Sequence, residues 1–226
     1  MGPPYGGIFQ PLVGEVLSAL GYRDSLSVRP PGAPKTPAPY TISAAIAIDR
    51  DCGRIRFPEG TSIDLGGIAK GWMATRAGAL AATLSADPSL LIDAGGDLLA
   101  VSGEHLVAVE SSLASDHPRI DAWVELAAGC AIATSGFRRR CWTNGDRYSA
   151  HHLIDPQSGG PGPFTHATVL ARDAVTADVL AKVLALRPQR AVSCGYPARA
   201  CTPEGVLTSR RWSQVAVGVG VPVQVV

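Results

Sequence analysis

The chain of 226 residues has no run of about 18 apolar residues, so its sequence contains no membrane-crossing helix. No basic segment precedes an apolar stretch in "MGPPYGGIFQPLVGEVL", and no secretory signal is read there. Charge of one sign is also lacking. The 20 Lys and Arg stand against 19 Asp and Glu, which removes any general electrostatic pull toward nucleic acid or an anionic membrane. The cluster Arg138, Arg139 and Arg140 is too short to restore it. The five cysteines, Cys52, Cys130, Cys141, Cys194 and Cys201, form no CxxC pair, which argues against a zinc knuckle and a dithiol redox motif. Their odd number suits a disulfide framework poorly, so reduced thiols are expected, with Cys194 and Cys201 the pair that an oxidising compartment would join. What the chain does have is apolar content, 46% against 17% charged, enough to bury a substantial core and to exclude disorder.

Leu12, Val13, Val16, Leu17 and Leu20 keep a helical period that Gly21 stops, predicting a short helix at about 11–20. "PPGAPKTPAP" (30–39) is a loop, because proline removes backbone donors and fixes φ. "ISAAIAID" and "RIRF" read as a hairpin leading into Ile63 and Asp64. Ile68, Met73, Leu80 and Leu84, set among alanines, predict a helix over 68–84. Short strands follow in "SLLID", "DLLAVS", "HLVAVES", "WVEL" and "AIATS", then in "RYSAHHLID" and "HATVLAR". A second main helix is expected at 174–187 on Val175, Val179, Val183, Leu184 and Leu186, with strands and turns to the C-terminus. Strand runs interrupted by two main helices, without steady βαβ alternation, predict an α+β fold of mixed or antiparallel sheets.

Chemistry concentrates in a few stretches. "SIDLGGIAKGW" (62–72) puts Gly66 and Gly67 where a strand becomes a helix, a place that attracts anions, yet Lys70 stands in the first helical turn against the dipole. An anion nearby would compensate, and a tight turn with Lys70 in solvent is an equal reading. "LIDAGGDLLA" (91–100) reads first as a hairpin turn carrying Asp93 and Asp97. "ATSGFRRR" offers Ser135 and Gly136 at a strand end. "HHLIDPQSGGP" (151–161) places two histidines ahead of Asp155, with Leu153 and Ile154 between. "AVTADVLAKVL" sets Asp178 and Lys182 at i and i+4 on one helix face, where a surface ion pair would be worth about 0.3–0.5 kcal/mol.

"IDLGGIAKGW", "LIDAGGDLL", "ATSGFRRR", "HHLIDP" with its Ser-Gly pair and the "AD" helix follow one another in an order that resembles the ApbE family of FAD:protein FMN transferases, over roughly residues 5–187. "YGGIFQPLVGEVLSALGY" is similar to that family's "G-x-F-D-P" segment. The resemblance implies one flavin transferase domain over 1–226, of α/β character. It also implies FAD as substrate, Mg²⁺, and transfer of the FMN half of FAD to a Thr or Ser hydroxyl of an acceptor flavoprotein with release of AMP. Asp64 and Lys70 would contact FAD, and Ile8, Phe9 and Gln10 would match the flavin contact. His152 and Ile154 would line the flavin site, with His152 a candidate base for the acceptor hydroxyl. The Gly67 backbone and Asp178 would hold the metal, with Lys182 at the third position of that site.

The chain departs from the family's pattern at three points. Lys182 stands where the family has the threonine that completes the metal site, and Gln10 stands where it usually has aspartate. The family's further N-terminal segment, with its Met-Gly-Thr motif, would precede this chain. These departures keep open a non-catalytic FAD-binding protein and an FAD pyrophosphatase that yields FMN and AMP. As it stands the chain is expected in the cytoplasm, without stable membrane insertion; a longer N-terminus would leave an extracytoplasmic or membrane-associated placement open as the alternative.

Overall fold

A computed structural model describes residues 7–20, 22, 46–111, 119–137, 141–144, 148–163 and 165–219. The proline-rich loop 30–39, residues 42–45, the arginines 138–140 and the tail 220–226 lie outside the described residues. In chain order the elements begin with α1 (Gly14–Ala19), β1 (Ala47–Asp49), β2 (Arg54–Arg56) and α2 (Ala69–Leu84). Five strands follow: β3 (Leu91–Asp93), β4 (Leu98–Ala100), β5 (His105–Ser111), β6 (Arg119–Leu126) and β7 (Ala131–Gly136). Next come β8 (Cys141–Asn144), β9 (Tyr148–His151), β10 (Ile154–Asp155), β11 (Gly160–Pro161), β12 (His166–Ala171) and α3 (Ala174–Leu186). The chain continues through β13 (Ala198–Thr202), β14 (Gly205–Thr208) and β15 (Ala216–Val219), with 3₁₀ turns at Pro188–Ala191 and Trp212–Gln214. Every strand pair among the described residues is antiparallel, which makes the fold α+β. No helix among them is long and apolar enough to cross a membrane.

The chain falls into two compact units, residues 1–65 with 139–162 and residues 66–138 with 163–226. In the first, α1 buries Val13, Val16, Leu17 and Leu20 against Ile154. The segment at Ser62–Asp64 runs beside the start of α1: Gly14 N–H donates to the Ser62 carbonyl (3.1 Å) and Asp64 N–H to the Pro11 carbonyl (2.7 Å). That pairing explains Gly14, since a Cβ there would meet the Ser62 carbonyl oxygen at 3.0 Å. The expected strand "RYSAHHLID" is two strands, because Leu153 N–H leaves the ladder and donates to His151 Nδ1 (3.2 Å).

The second unit is built on a six-stranded sheet in the order β14-β13-β12-β7-β4-β3. Alternation along β7, β12 and β13 puts Ala131, Ala133, Ala167, Val169, Ala198 and Ala200 on one face, where α3 packs against β7 and β12. Small side chains there let the helix come close. Ile132 and Leu170, on the other face, pack with Val109, Val124, Leu126 and Trp212, which join the three-stranded sheet β15-β6-β5 to the first.

The same sheet-to-sheet layer holds a polar patch. Arg199 Nη2 donates to Asp121 Oδ2 (2.5 Å), with both side chains almost fully buried. Thr134 and Thr168 hydroxyls meet at 2.9 Å. His166 lies opposite Cys201 in the ladder; burial, and then the Arg199 charge, push its pKa down to about 4, while burial pushes the Cys201 thiol up to about 11. Cys52, Cys130, Cys194 and Cys201 are free thiols.

The α2 helix packs through its smallest residues: Met73, Leu80 and Leu84 are 61%, 61% and 77% exposed, while Gly71, Ala74 and Gly78 are buried. Close approach is the reason: a Cβ on Gly71 would strike the Ala174 carbonyl, and one on Gly78 would meet Leu99 Cδ2 at 2.7 Å.

Candidate functional site

Ile68 begins α2 without a side-chain cap, and the first turn holds no acidic residue. The positive end of the helix, with Lys70 in that turn, therefore needs negative charge from elsewhere. Two aspartates supply it. Asp97, only 3% exposed at its side chain, forms an ion pair with Lys70, whose own side chain remains 38% exposed. Asp97 is delivered by the turn between β3 and β4, where Gly96 N–H donates to Asp93 Oδ1 (2.8 Å), Ala94 N–H donates to the Asp97 carbonyl (2.9 Å), and Gly95 and Gly96 take φ of 74° and 94°. "LIDAGGDLLA" is thus the hairpin it resembles and also the source of the anion that Lys70 requires. Thr134 N–H, from β7, donates to the other Asp97 oxygen at 3.2 Å. Three sequence stretches that looked separate meet at this carboxylate.

Asp178 is the second aspartate. It is 2% exposed on α3, which rules out a solvated surface pair, and its Oδ2 accepts the Gly71 N–H at 3.3 Å. A carboxylate on one helix thereby satisfies an orphan donor in the first turn of another. The α3 helix has its own cap, Asp173 Oδ1 accepting Thr176 N–H at 2.7 Å, and it buries residues all round, wider than the face its valines and leucines predict. Lys182, one turn beyond Asp178, is only half-buried. Its side chain lies against Gly67: a Cβ on Gly67 would overlap Lys182 Nζ and come within 2.8 Å of Cε and 2.9 Å of Cδ.

The Mg²⁺ site expected at Gly67, Asp178 and Lys182 carries this ammonium at the Gly67 backbone. An ammonium within about 4 Å of a divalent cation would cost several kcal/mol even at an effective dielectric near 20. Asp178 is the one carboxylate of that set, and its Oδ2 already accepts the Gly71 N–H. The residues present do not fit a divalent ion there.

The first unit carries the remaining candidates. Ile8 is 2% exposed, and Phe9 and Gln10 are half-buried at the entry to α1. Gln10 Oε1 accepts the Leu12 N–H (3.2 Å), so its amide shapes this turn. Asp64 is half-buried on the strip paired to Pro11. Ile154 is 5% exposed within the α1 core.

The two histidines have different jobs. His151 is fully buried, its Nε2–H donating to the Gly162 carbonyl (2.9 Å) while Nδ1 accepts from Leu153 N–H; burial lowers its pKa despite the carbonyl. Both ring nitrogens of His151 serve the fold. His152 is half-exposed beside it.

In the second unit the structure thus brings Gly67, Lys70, Asp178 and Lys182 to the start of α2. Sequence reasoning gave no role there to Asp97 and Thr134, although a lysine misplaced on a helix dipole was the signal that a carboxylate had to be near. Nothing in "HHLIDP" marked which histidine was the structural one.

The family model of the ApbE family matches residues 4–193. No curated protein sequence matches the chain. Among solved structures, the ApbE protein of Thermotoga maritima superposes with a TM-score of 0.75 at 24% identity, over 95% of this chain and 74% of its own. The flavinyl transferase ApbE of Pseudomonas stutzeri, in its apo form, gives 0.72 at 21% identity, over 95% and 71%. The flavin transferase ApbE of Vibrio cholerae gives 0.67 at 21%, over 93% and 72%. At these identities the neighbours speak for the fold, and the matched family model speaks for kinship: the chain belongs to the ApbE family.

Proposed function

We propose that this protein is a flavin transferase, moving the FMN half of FAD onto a Thr or Ser hydroxyl of an acceptor protein and releasing AMP. The observation that carries the reading is the start of α2, where a glycine turn, a helix N-terminus and the ammoniums of Lys70 and Lys182 gather, a combination suited to a pyrophosphate. Kinship with proteins named as flavin transferases supports the same choice.

In this reading the acceptor hydroxyl oxygen attacks the phosphorus on the FMN side of the pyrophosphate. The bond from that phosphorus to the bridging oxygen breaks, and AMP leaves with the bridging oxygen. The hydroxyl proton passes to His152, the half-exposed histidine, while His151 keeps the loop in place. Lys70 binds the pyrophosphate and neutralises charge that develops as the bond breaks; the pair with Asp97 limits its rotamers. Ile8, Phe9, Gln10, Asp64 and Ile154, all of the first unit, are the residues that the family resemblance assigns to the flavin. Lys182, whose side chain lies against Gly67, would add a second positive charge beside the phosphates.

The test is a denaturing gel of cell extract incubated with the protein and FAD. Transfer gives a flavin-fluorescent acceptor band that survives denaturation, and His152→Ala abolishes the band while FAD still binds. A band that persists at full intensity with His152→Ala refutes the role of the base.

A further inference from the structure

We propose that the ammonium of Lys182 is a built-in cation that replaces a divalent metal, so that this protein binds the FAD pyrophosphate without one. The inference rests on the flavin transferase reading for its ligand and on the structure for its cation.

The Lys182 side chain leaves α3 and passes over Gly67, so closely that a methyl group on Gly67 would occupy the space of Nζ, Cε and Cδ. Gly67 is buried and precedes the first turn of α2, so the charge is held at the backbone of the glycine turn. Asp178, on the same face of α3, has its carboxylate committed to the Gly71 N–H and almost no solvent exposure. A divalent ion there would have one carboxylate, with a positive charge already installed. The same geometry suits a ligand that is itself anionic: phosphate oxygens would meet one ammonium tethered by α3, a second from Lys70 and the positive end of the α2 helix dipole. A tethered ammonium supplies charge but no exchangeable coordination shell. Binding therefore follows the protein alone and ignores the metal concentration.

Two measurements decide the matter, and they separate this inference from the functional reading. In the first, FAD is titrated into the intact protein by flavin fluorescence, in EDTA and in millimolar Mg²⁺. The dissociation constant is expected to agree within about twofold between the two conditions. Lys182→Thr is expected to bind about tenfold more weakly in EDTA and to recover in Mg²⁺. A wild-type affinity that rises tenfold or more with Mg²⁺ overturns the inference. In the second, Mn²⁺ is added without FAD and followed by electron paramagnetic resonance. No stoichiometric Mn²⁺ is expected on the wild type and one per chain on Lys182→Thr. One Mn²⁺ bound to the wild type and lost in Asp178→Asn overturns the inference even if FAD never binds; absence of FAD binding in every condition would sink the flavin reading instead.

Discussion

Lys70 on α2 and Asp97 in the β3–β4 turn form an ion pair in which the acid is buried and the base is part-exposed. Removing the carboxylate leaves an ammonium facing a helix N-terminus with its main anion gone. Asp97→Asn is expected to cost about 1–2 kcal/mol, less than a fully buried pair because water reaches Lys70, and to lower the melting temperature by roughly 2–8 °C. Thermal unfolding at pH 7 measures it, and an unchanged melting temperature would mean the pair contributes nothing.

Gly67 and Gly71, four residues apart, are expected to lose different amounts of stability on change to alanine. At Gly67 the new methyl meets the far end of a flexible lysine, which swings aside, so Gly67→Ala should cost under about 1 kcal/mol while weakening FAD binding as Lys182→Thr does. At Gly71 it meets the Ala174 backbone, which cannot yield, and Gly71→Ala should cost about 1–3 kcal/mol despite the better helix propensity of alanine. Melting curves and FAD titrations of the two variants, taken together, check this; equal losses of stability would contradict it.

His151→Ala should destabilise the protein by about 2–4 kcal/mol, because it empties a fully buried site and strands the Leu153 N–H. His152→Ala should leave the melting temperature nearly unchanged and remove transfer. Reversed roles would show as a melting loss confined to His152→Ala.

Acid should weaken the fold before carboxylates titrate. The folded pKa of His166 lies near 4, below the usual imidazole value of about 6.5, so the unfolded chain takes up a proton first as pH falls. Its stabilising effect is complete above about pH 6.5 and drains as pH falls toward 4. Between pH 7.5 and 5 the loss is about 2 kcal/mol, with lowered His151 adding in the same direction. Melting temperatures at the two pH values should diverge less in His166→Gln than in the wild type; equal divergence would remove His166 from the account.

Much of this was readable in advance because it depends on local physics. Apolar spacing and alanine content placed α2 and α3 to within a residue or two, and glycine-bounded apolar runs marked β3 through β7. The packing side of α2 was not readable, because periodicity weights large residues and the buried stripe is Gly71, Ala74 and Gly78. Lys70 announced a missing anion, but Asp97 lies 27 residues away and meets it through a turn whose glycines carry no address. Asp178 and Lys182 were legible as neighbours on one helix face; that one is buried and the other lies over Gly67 depends on packing among elements.

The most direct test of the central claim is a product balance: FAD is incubated with the protein and cell extract, and AMP, free FMN and protein-bound FMN are each quantified. The account predicts AMP and protein-bound FMN in equal amounts with little free FMN. FAD recovered intact, or AMP accompanied by free FMN alone, would contradict flavin transfer.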